Sequence, residues 1–329
     1  MLEEIENVLD LALKNSNIKS EANFSRLIRD ELTDTPNSDK FNKITNEDLN
    51  NLYEIRAKVL DWELGTGYLG FFAKNKGTRY TFTRRIEVMM KQMPPLENKT
   101  ILEVGCGTGI ISLELAKTAR NVVGIDIAET ALDFGRCLAE SLGYTNVEFK
   151  KGDAKNLEFN DESFNVVVCS EVLEHLLDTE KAISEFHRVL NKEGTLILTT
   201  PCATSLSEMC MDFIRIFIKD MQVEKENQFD KKTYLAMNKE GKNMPPEKFL
   251  RVHKRFGYNN LVEMFNKQGF KVVDAKGAVF AFPPYYPVFY RYCPSVVLPI
   301  IRGVESLLNT ADILKRFGSV STCFRIEKQ

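Results

Sequence analysis

The sequence predicts a doubly wound α/β fold, a mostly parallel sheet with helices on both faces, enlarged by helical and irregular additions. Two observations predict it. From Thr100 onward, short apolar runs alternate with stretches of helical period, the pattern of strands joined by crossover helices. Between the first run and the first helix lies the glycine cluster GCGTG, residues 105–109, where a strand delivers the chain to a turn that opens a helix.

The elements follow in order. Residues 1–32 have helical periodicity, broken by TDTPNSDK around Pro36. Thr45 to Glu63 reads as a helix, with Leu49, Leu52, Ile55, Val59 and Trp62 on one face. ILEV (101–104) is a buried strand, 110–118 a helix, and NVVGIDI (121–127) a second strand ending in an acid. A helix over 128–142 is closed by Gly143, and VEFKKGDA carries the third strand and its turn. FNVVVCSE (164–171) is the fourth strand. Asp178 caps the helix built on Ala182, Ile183, Phe186, Val189 and Leu190, and TLILTTP (195–201) is a fifth strand stopped by Pro201. After about fifty residues of mixed pattern, a helix from Tyr258 ends at Gly269, strand KVVDA follows, and the late STCFRIE closes the sheet. The chain divides into a helical extension (1–97), a core (98–201), an insertion (202–255) and a closing part (256–329) holding an apolar aromatic insertion at 277–319.

Composition excludes several classes. With 44 basic and 46 acidic residues, the net charge of −2 offers nucleic acid no general attraction. The seven cysteines are scattered, without C-x-x-C spacing, as expected of a reducing, cytoplasmic compartment. The apolar run VFAFPPYYPVFYRYCPSVVLPII contains five prolines and Arg291, which no continuous spanning helix tolerates. It suits a lid, a substrate wall, a homodimer face or a peripheral membrane contact.

Two glycine runs compete for a nucleotide. GTGYLG (65–70) spells G-x-G-x-x-G but follows a helix, so it reads as a turn or hinge, with Tyr68, Phe71 and Phe72 folded over the site. GCGTG follows a strand, and Asp126 ends the next one, where a carboxylate can accept both hydroxyls of a ribose. A nicotinamide dehydrogenase would share that much.

LEVGCGTG, VVGIDI, GDA (152–154), FNVVVCSEVLEH and LNKEGTLILTTP succeed one another at spacings that resemble class I S-adenosylmethionine-dependent methyltransferases, most of all the ubiquinone and menaquinone branch. The resemblance implies a Rossmann-like seven-stranded sheet whose last strand is antiparallel. It also implies S-adenosylmethionine as cofactor: Glu103 and the Gly105, Cys106, Gly107 and Gly109 turn on its methionine part, Asp126 and Ile127 at the ribose and adenine, Asp153 and Ala154 at the adenine edge, Cys169 and Ser170 lining the pocket.

Methyl transfer asks the protein to align and desolvate a nucleophile, with a base only where the acceptor keeps its proton. EVLEH places Glu171, Glu174 and His175 on one face if it is helical, with His175 and Glu171 as catalytic candidates. Together with His253 they resemble the ligand set of metal-dependent 2′-O-methyltransferases, so a divalent metal is one reading; acids capping a helix, with His175 on the substrate, is the other. His187 is assigned to a solvated face. The expected function is O-methylation of an apolar or aromatic small molecule, with Tyr68, Phe71, Tyr80, Tyr285 and Tyr286 on the acceptor side. Metal-assisted methylation of a vicinal diol, C-methylation of a quinone-like acceptor and non-catalytic cofactor binding stand as alternatives. Arg79, Arg84 and Arg85 form the one basic cluster near the cofactor domain, solvating a helix or neutralising the cofactor carboxylate.

Overall fold

The computed structural model describes residues 76–201, 254, 256–280, 297–310 and 319–329. The first two expected helices, GTGYLG with Tyr68 and Phe71, His253, and Tyr285 with Tyr286 lie outside the described residues. The chain enters by helix α1 (Lys76–Gln92) and then alternates: β1 (Thr100–Val104), α2 (Ile110–Ala116), β2 (Asn121–Asp126), α3 (Glu129–Ser141), β3 (Val147–Lys151) and β4 (Phe164–Ser170). A single 3₁₀ turn (Leu173–His175) leads to α4 (Thr179–Val189) and β5 (Leu190–Pro201). The closing part supplies α5 (Tyr258–Lys267), β6 (Phe270–Phe280), α6 (Leu298–Leu308) and β7 (Ser319–Lys328).

The strands form one seven-stranded sheet in the order β3-β2-β1-β4-β5-β7-β6. β1 to β5 pair in parallel, while β7 is antiparallel to both β5 and β6. Except for the edge strand β3, the parallel strands are apolar on both faces because helices cover both. On one face Ile101, Val122, Val166, Val168 and Ile197 pack with Met89 of α1, Leu113 of α2 and Phe134 of α3. On the other, Leu102, Val123, Val167 and Leu198 pack with Ile183 and Phe186 of α4 and Phe265 of α5. The period-2 alternation along each strand sends successive residues to opposite layers.

Several expectations hold at the level of single residues. Asp178 caps α4, its carboxylate accepting from Lys181 N at 3.0 Å. Others move. Leu190 opens β5 rather than closing α4, because its pairing with Phe164 extends the strand backward. β6 runs on past KVVDA to Phe280, into the first residues assigned to the aromatic insertion, since β7 offers partners that far. His187 is not on a solvated face: its ring meets Phe270 edge-on at 5.1 Å, and burial lowers its pKa. Within the insertion, α6 buries Ile301 and Glu305 and exposes Ile300, Val304 and Leu307. Among the described residues, no helix is long and apolar enough to cross a membrane.

Candidate active site

From β1 the chain steps outward to β2 and β3, and from β4 it steps the other way to β5. That reversal opens a crevice outside the carboxyl ends of β1 and β4, where ligands of such sheets bind. The GCGTG turn leaves β1 there. Gly105, Gly107 and Gly109 all have left-handed φ, at 72°, 53° and 75°. Gly105 N and Cys106 N donate to the carbonyl of Ile125 at 2.7 and 2.9 Å, tying the turn to β2. A Cβ on Gly105 would lie 2.3 Å from Val172 Cγ2, and one on Gly109 2.3 Å from Phe149 Cζ. At these two positions glycine is therefore required by the protein's own packing. Cys106 is a core residue whose thiol is pushed up by burial and then by Glu103 and Asp126.

The acids around this turn divide by role. Asp126 ends β2 and is 8% exposed; Oδ2 accepts from Gly107 N at 2.8 Å and Oδ1 from Ala128 N at 2.9 Å. Each carboxylate oxygen has a second lone pair, so Asp126 shapes the turn and retains acceptor capacity for hydroxyls. Glu103 points the other way. At 1% exposure it accepts from the hydroxyl and the backbone N–H of Ser112, capping the first turn of α2. Burial pushes its carboxyl up to about 8 against those two bonds. Glu103 thus holds the helix that follows the turn. Ile127 is half-buried next to Asp126. Asp153 follows β3, its Oδ1 accepting from Lys155 N at 2.9 Å and its Oδ2 3.3 Å from Lys155 Nζ. Gly152 N bonds the Asp126 carbonyl at 3.0 Å, which brings both acids to one edge. Ala154 is buried in the core beneath them.

At the end of β4 the expected pair also splits. Cys169 is fully buried among Val167 and Leu173, so it does not line a pocket; burial holds its thiol far above the usual range. Ser170 is half-buried, with Oγ 2.9 Å from Thr199 Oγ1.

EVLEH is not one helical face. Glu171 has φ 58°, left-handed, and the 3₁₀ turn begins only at Leu173. This reversal seats Val172 against Gly105, and the two glutamates find different partners. Glu171 Oε1 accepts from Ser321 Oγ of β7 at 2.7 Å, and Oε2 lies 3.6 Å from Arg85 of α1. Glu174 is 1% exposed and accepts from Thr200 Oγ1 at 3.3 Å; burial, then the charge of Glu171, pushes its carboxyl up to about 8. His175 Nε2 stands 3.8 Å from Glu174 Oε1, beyond hydrogen-bond length. Lys254 closes over this turn, its N donating to the Glu174 carbonyl at 2.7 Å. Among the described residues no three His, Cys, Asp or Glu side chains converge on one point. The fourth residue of the expected ligand set, His253, lies outside the described residues.

A methyltransferase-domain family model matches residues 95–269, just over half of the chain. The chain belongs to the class I methyltransferases. It is 33% identical over 160 residues to a ubiquinone biosynthesis O-methyltransferase of Hydrogenovibrio crunogenus, covering 48% of this chain and 63% of that one. It is 29% identical over 111 residues to the uncharacterized methyltransferase YcgJ of Bacillus subtilis, covering 34% and 44%. The match thus spans under two thirds of the length of these relatives. A SAM-dependent methyltransferase of Thermotoga maritima aligns with a TM-score of 0.48 at 18% identity, over 76% of this chain and 90% of the other.

The residues of this methyltransferase fit S-adenosylmethionine on two observations. Asp126 sets a carboxylate at the crevice at the end of β2, and Arg85 Nε is buried with no hydrogen-bond partner. An orphaned guanidinium donor beside the crevice is matched by a carboxylate, which the cofactor's amino-acid end supplies. Arg85 and Ser321, which both contact Glu171, are candidate site residues that motif reading does not single out. The one signal for Arg85 is its place in the basic cluster, and Ser321 has none. Tyr80 is buried, its hydroxyl donating to Glu305 Oε2 at 2.8 Å, so it anchors α1 to α6.

Proposed function

We propose that this protein transfers a methyl group from S-adenosylmethionine to the oxygen of a small-molecule acceptor, with Glu171 as the group that receives or orients the acceptor's hydroxyl. The observation that carries the reading is the placement of Glu171. It lies at the carboxyl end of β4, one residue from the Val172–Gly105 contact, in a left-handed conformation that a glutamate adopts at a cost. Such strain persists where surrounding contacts enforce it, and here Ser321 and Arg85 do so. Contacts from β7 and α1 hold the carboxylate at this end of the sheet. Glu171 is partly exposed, with side-chain exposure of 21%, whereas Glu174 at 2% is closed to an acceptor. The O-methyltransferase name of the Hydrogenovibrio relative supports oxygen as the nucleophile.

When bound, the cofactor supplies an electrophilic methyl on a sulfonium, so the displacement itself needs no acid. The chain's own residues do the rest. Asp126 holds the glycine turn through Gly107 and offers acceptors to the ribose. Arg85 neutralises the amino-acid carboxylate. Glu171 takes the hydroxyl proton, or holds it by a hydrogen bond as charge leaves the oxygen, while Ser170 and Ser321 frame the approach.

The experiment is a metabolite screen with labelled S-adenosylmethionine, followed by Glu171→Gln on the acceptor it finds. Turnover should fall about 10²-fold or more with cofactor affinity retained. Equal turnover in Glu171→Gln would remove it from the chemistry. Tight binding of NAD in calorimetry, without S-adenosylhomocysteine binding, would end the methyltransferase reading of this site.

A further inference from the structure

α1 is fastened to α6 by a buried ionic cluster that no motif of the cofactor site contains. Tyr80 Oη and Arg84 Nε both donate to Glu305 Oε2, each at 2.8 Å. Arg84 Nη1 also donates to Glu87 Oε2 at 3.1 Å, and Glu87 accepts in turn from Arg302 of α6. Glu305 is fully buried, Arg84 is 4% exposed and Tyr80 8%. Burial, then the negative charge of Glu305, raises the Tyr80 phenol, so it stays a donor. Val279 of β6 and Ile301 of α6 pack around the Tyr80 ring.

Burying an ion pair gains little stability over apolar side chains of the same size, but it fixes geometry, because charged partners tolerate few arrangements. The geometry fixed here is the rotation of α1 about its own axis. Arg85 is the next residue, about 100° further round the helix. A rotation of about 20° would displace a group some 6 Å from the axis by about 2 Å. That suffices to carry Arg85 away from Glu171, now 3.6 Å distant, and to re-aim its unpartnered Nε. The sheet-facing apolar side chains of α1 do not set this rotation alone, since their contacts in the core with Ile197, Ala278 and Cys323 are non-directional.

We infer that Glu305, with Tyr80 and Arg84, is a positioning device that holds α1 so that Arg85 presents its free donor to the carboxylate of the bound cofactor. This rests on the reading of Arg85 given above. Glu305 touches neither cofactor nor acceptor; it acts through Arg84 on the adjoining residue. The aromatic insertion, through α6, thereby takes part in cofactor binding.

The test uses the full chain and two ligands differing in one group, S-adenosylmethionine and decarboxylated S-adenosylmethionine, titrated by calorimetry. The wild-type protein should bind the first more tightly. Glu305→Gln keeps the shape of the side chain and removes its charge; it should weaken S-adenosylmethionine about tenfold and leave the decarboxylated ligand within about twofold. In an Arg85→Ala background, Glu305→Gln should have no further effect on either ligand. Tyr80→Phe, which removes one hydroxyl, should show the same split at about threefold and serves where Glu305→Gln fails to fold. Equal loss for both ligands, no loss for S-adenosylmethionine, or full additivity with Arg85→Ala would overturn the positioning role. If wild type does not discriminate between the ligands, the Arg85 assignment is overturned, and the inference with it. If it binds neither ligand, the proposed function itself fails.

Discussion

Gly105→Ala tests the contact that joins the cofactor turn to the acceptor side. Two costs add. At φ 72° an alanine pays about 1–2 kcal/mol for the left-handed conformation. Its Cβ would also stand 2.3 Å from Val172 Cγ2 and 3.0 Å from Cγ1, so Val172 or the turn must shift, an overpacking cost of about 1–3 kcal/mol. The sum of about 2–5 kcal/mol lowers Tm by about 4–20 °C for a domain of this size. Val172→Ala in the same chain relieves the clash and leaves the backbone strain, so the double variant should recover about 1 kcal/mol or more relative to additivity. Thermal unfolding of the four proteins in the cycle measures this directly, and titration with S-adenosylhomocysteine shows whether the shift reaches the ligand. Strict additivity, within about 0.5 kcal/mol, would refute the argument that these two residues fix the spacing of turn and acceptor segment.

Asp126→Ala leaves the N–H groups of Gly107 and Ala128 without their acceptor, at about 1–3 kcal/mol for each that stays buried. Tm and S-adenosylhomocysteine affinity should both fall, while Asp126→Asn, which keeps one acceptor oxygen, should fall less; equal affinities in all three would exclude Asp126 from the site. The second prediction concerns pH. Glu174 is raised from 4.5 to about 8 by burial and by Glu171, so the native state holds a proton that the unfolded state releases earlier. Stability from this group is complete below about pH 4.5 and is lost as pH rises through about 8, at up to about 1.4 kcal/mol per pH unit between them. Glu103 has the same sign and window. Glu174→Gln should make the fall of Tm from about pH 5 to pH 8 shallower, and an unchanged slope would show that Glu174 is ionised in the native protein.

What the sequence revealed of this fold is what its local grammar encodes. Strand, turn and helix around GCGTG are set within a few residues, as are the Asp126 terminus of β2 and the Asp178 cap, so all were legible. The antiparallel β7 was implied by a family likeness. Orientation was harder. Glu103 reads as a ligand-facing acid because it sits two residues before the glycines, yet the pleat turns it inward onto Ser112. Cys169 and Ser170 are adjacent, so alternation had to bury one of them; composition does not say which. EVLEH fits an α-helical spacing, but Glu171 adopts a left-handed φ and Val172 packs on Gly105, a contact between segments far apart in sequence. The α1–α6 cluster was illegible for the same reason, since its bonds join residues 221 and 225 positions apart.

Topology decides against the one cofactor that shares the strand-turn-helix and the acid. A dinucleotide needs two mononucleotide-binding halves, the second built on three parallel strands that mirror β1, β2 and β3. In this sheet β4 and β5 are parallel, but the position beyond β5 belongs to β7, which runs antiparallel, and β6 is displaced to the edge. The second half therefore lacks the strand whose crossover would carry its own turn to the crevice. What stands at the end of β4 is a polar wall instead: Ser170 on Thr199, Glu171 on Ser321, and Arg85 with an unfilled donor. On the function proposed above, such a crevice holds one nucleoside against Asp126 and leaves its other side to a charged, non-nucleotide tail and a second substrate. S-adenosylmethionine has that shape, with one ribose, one carboxylate and a reactive centre between them.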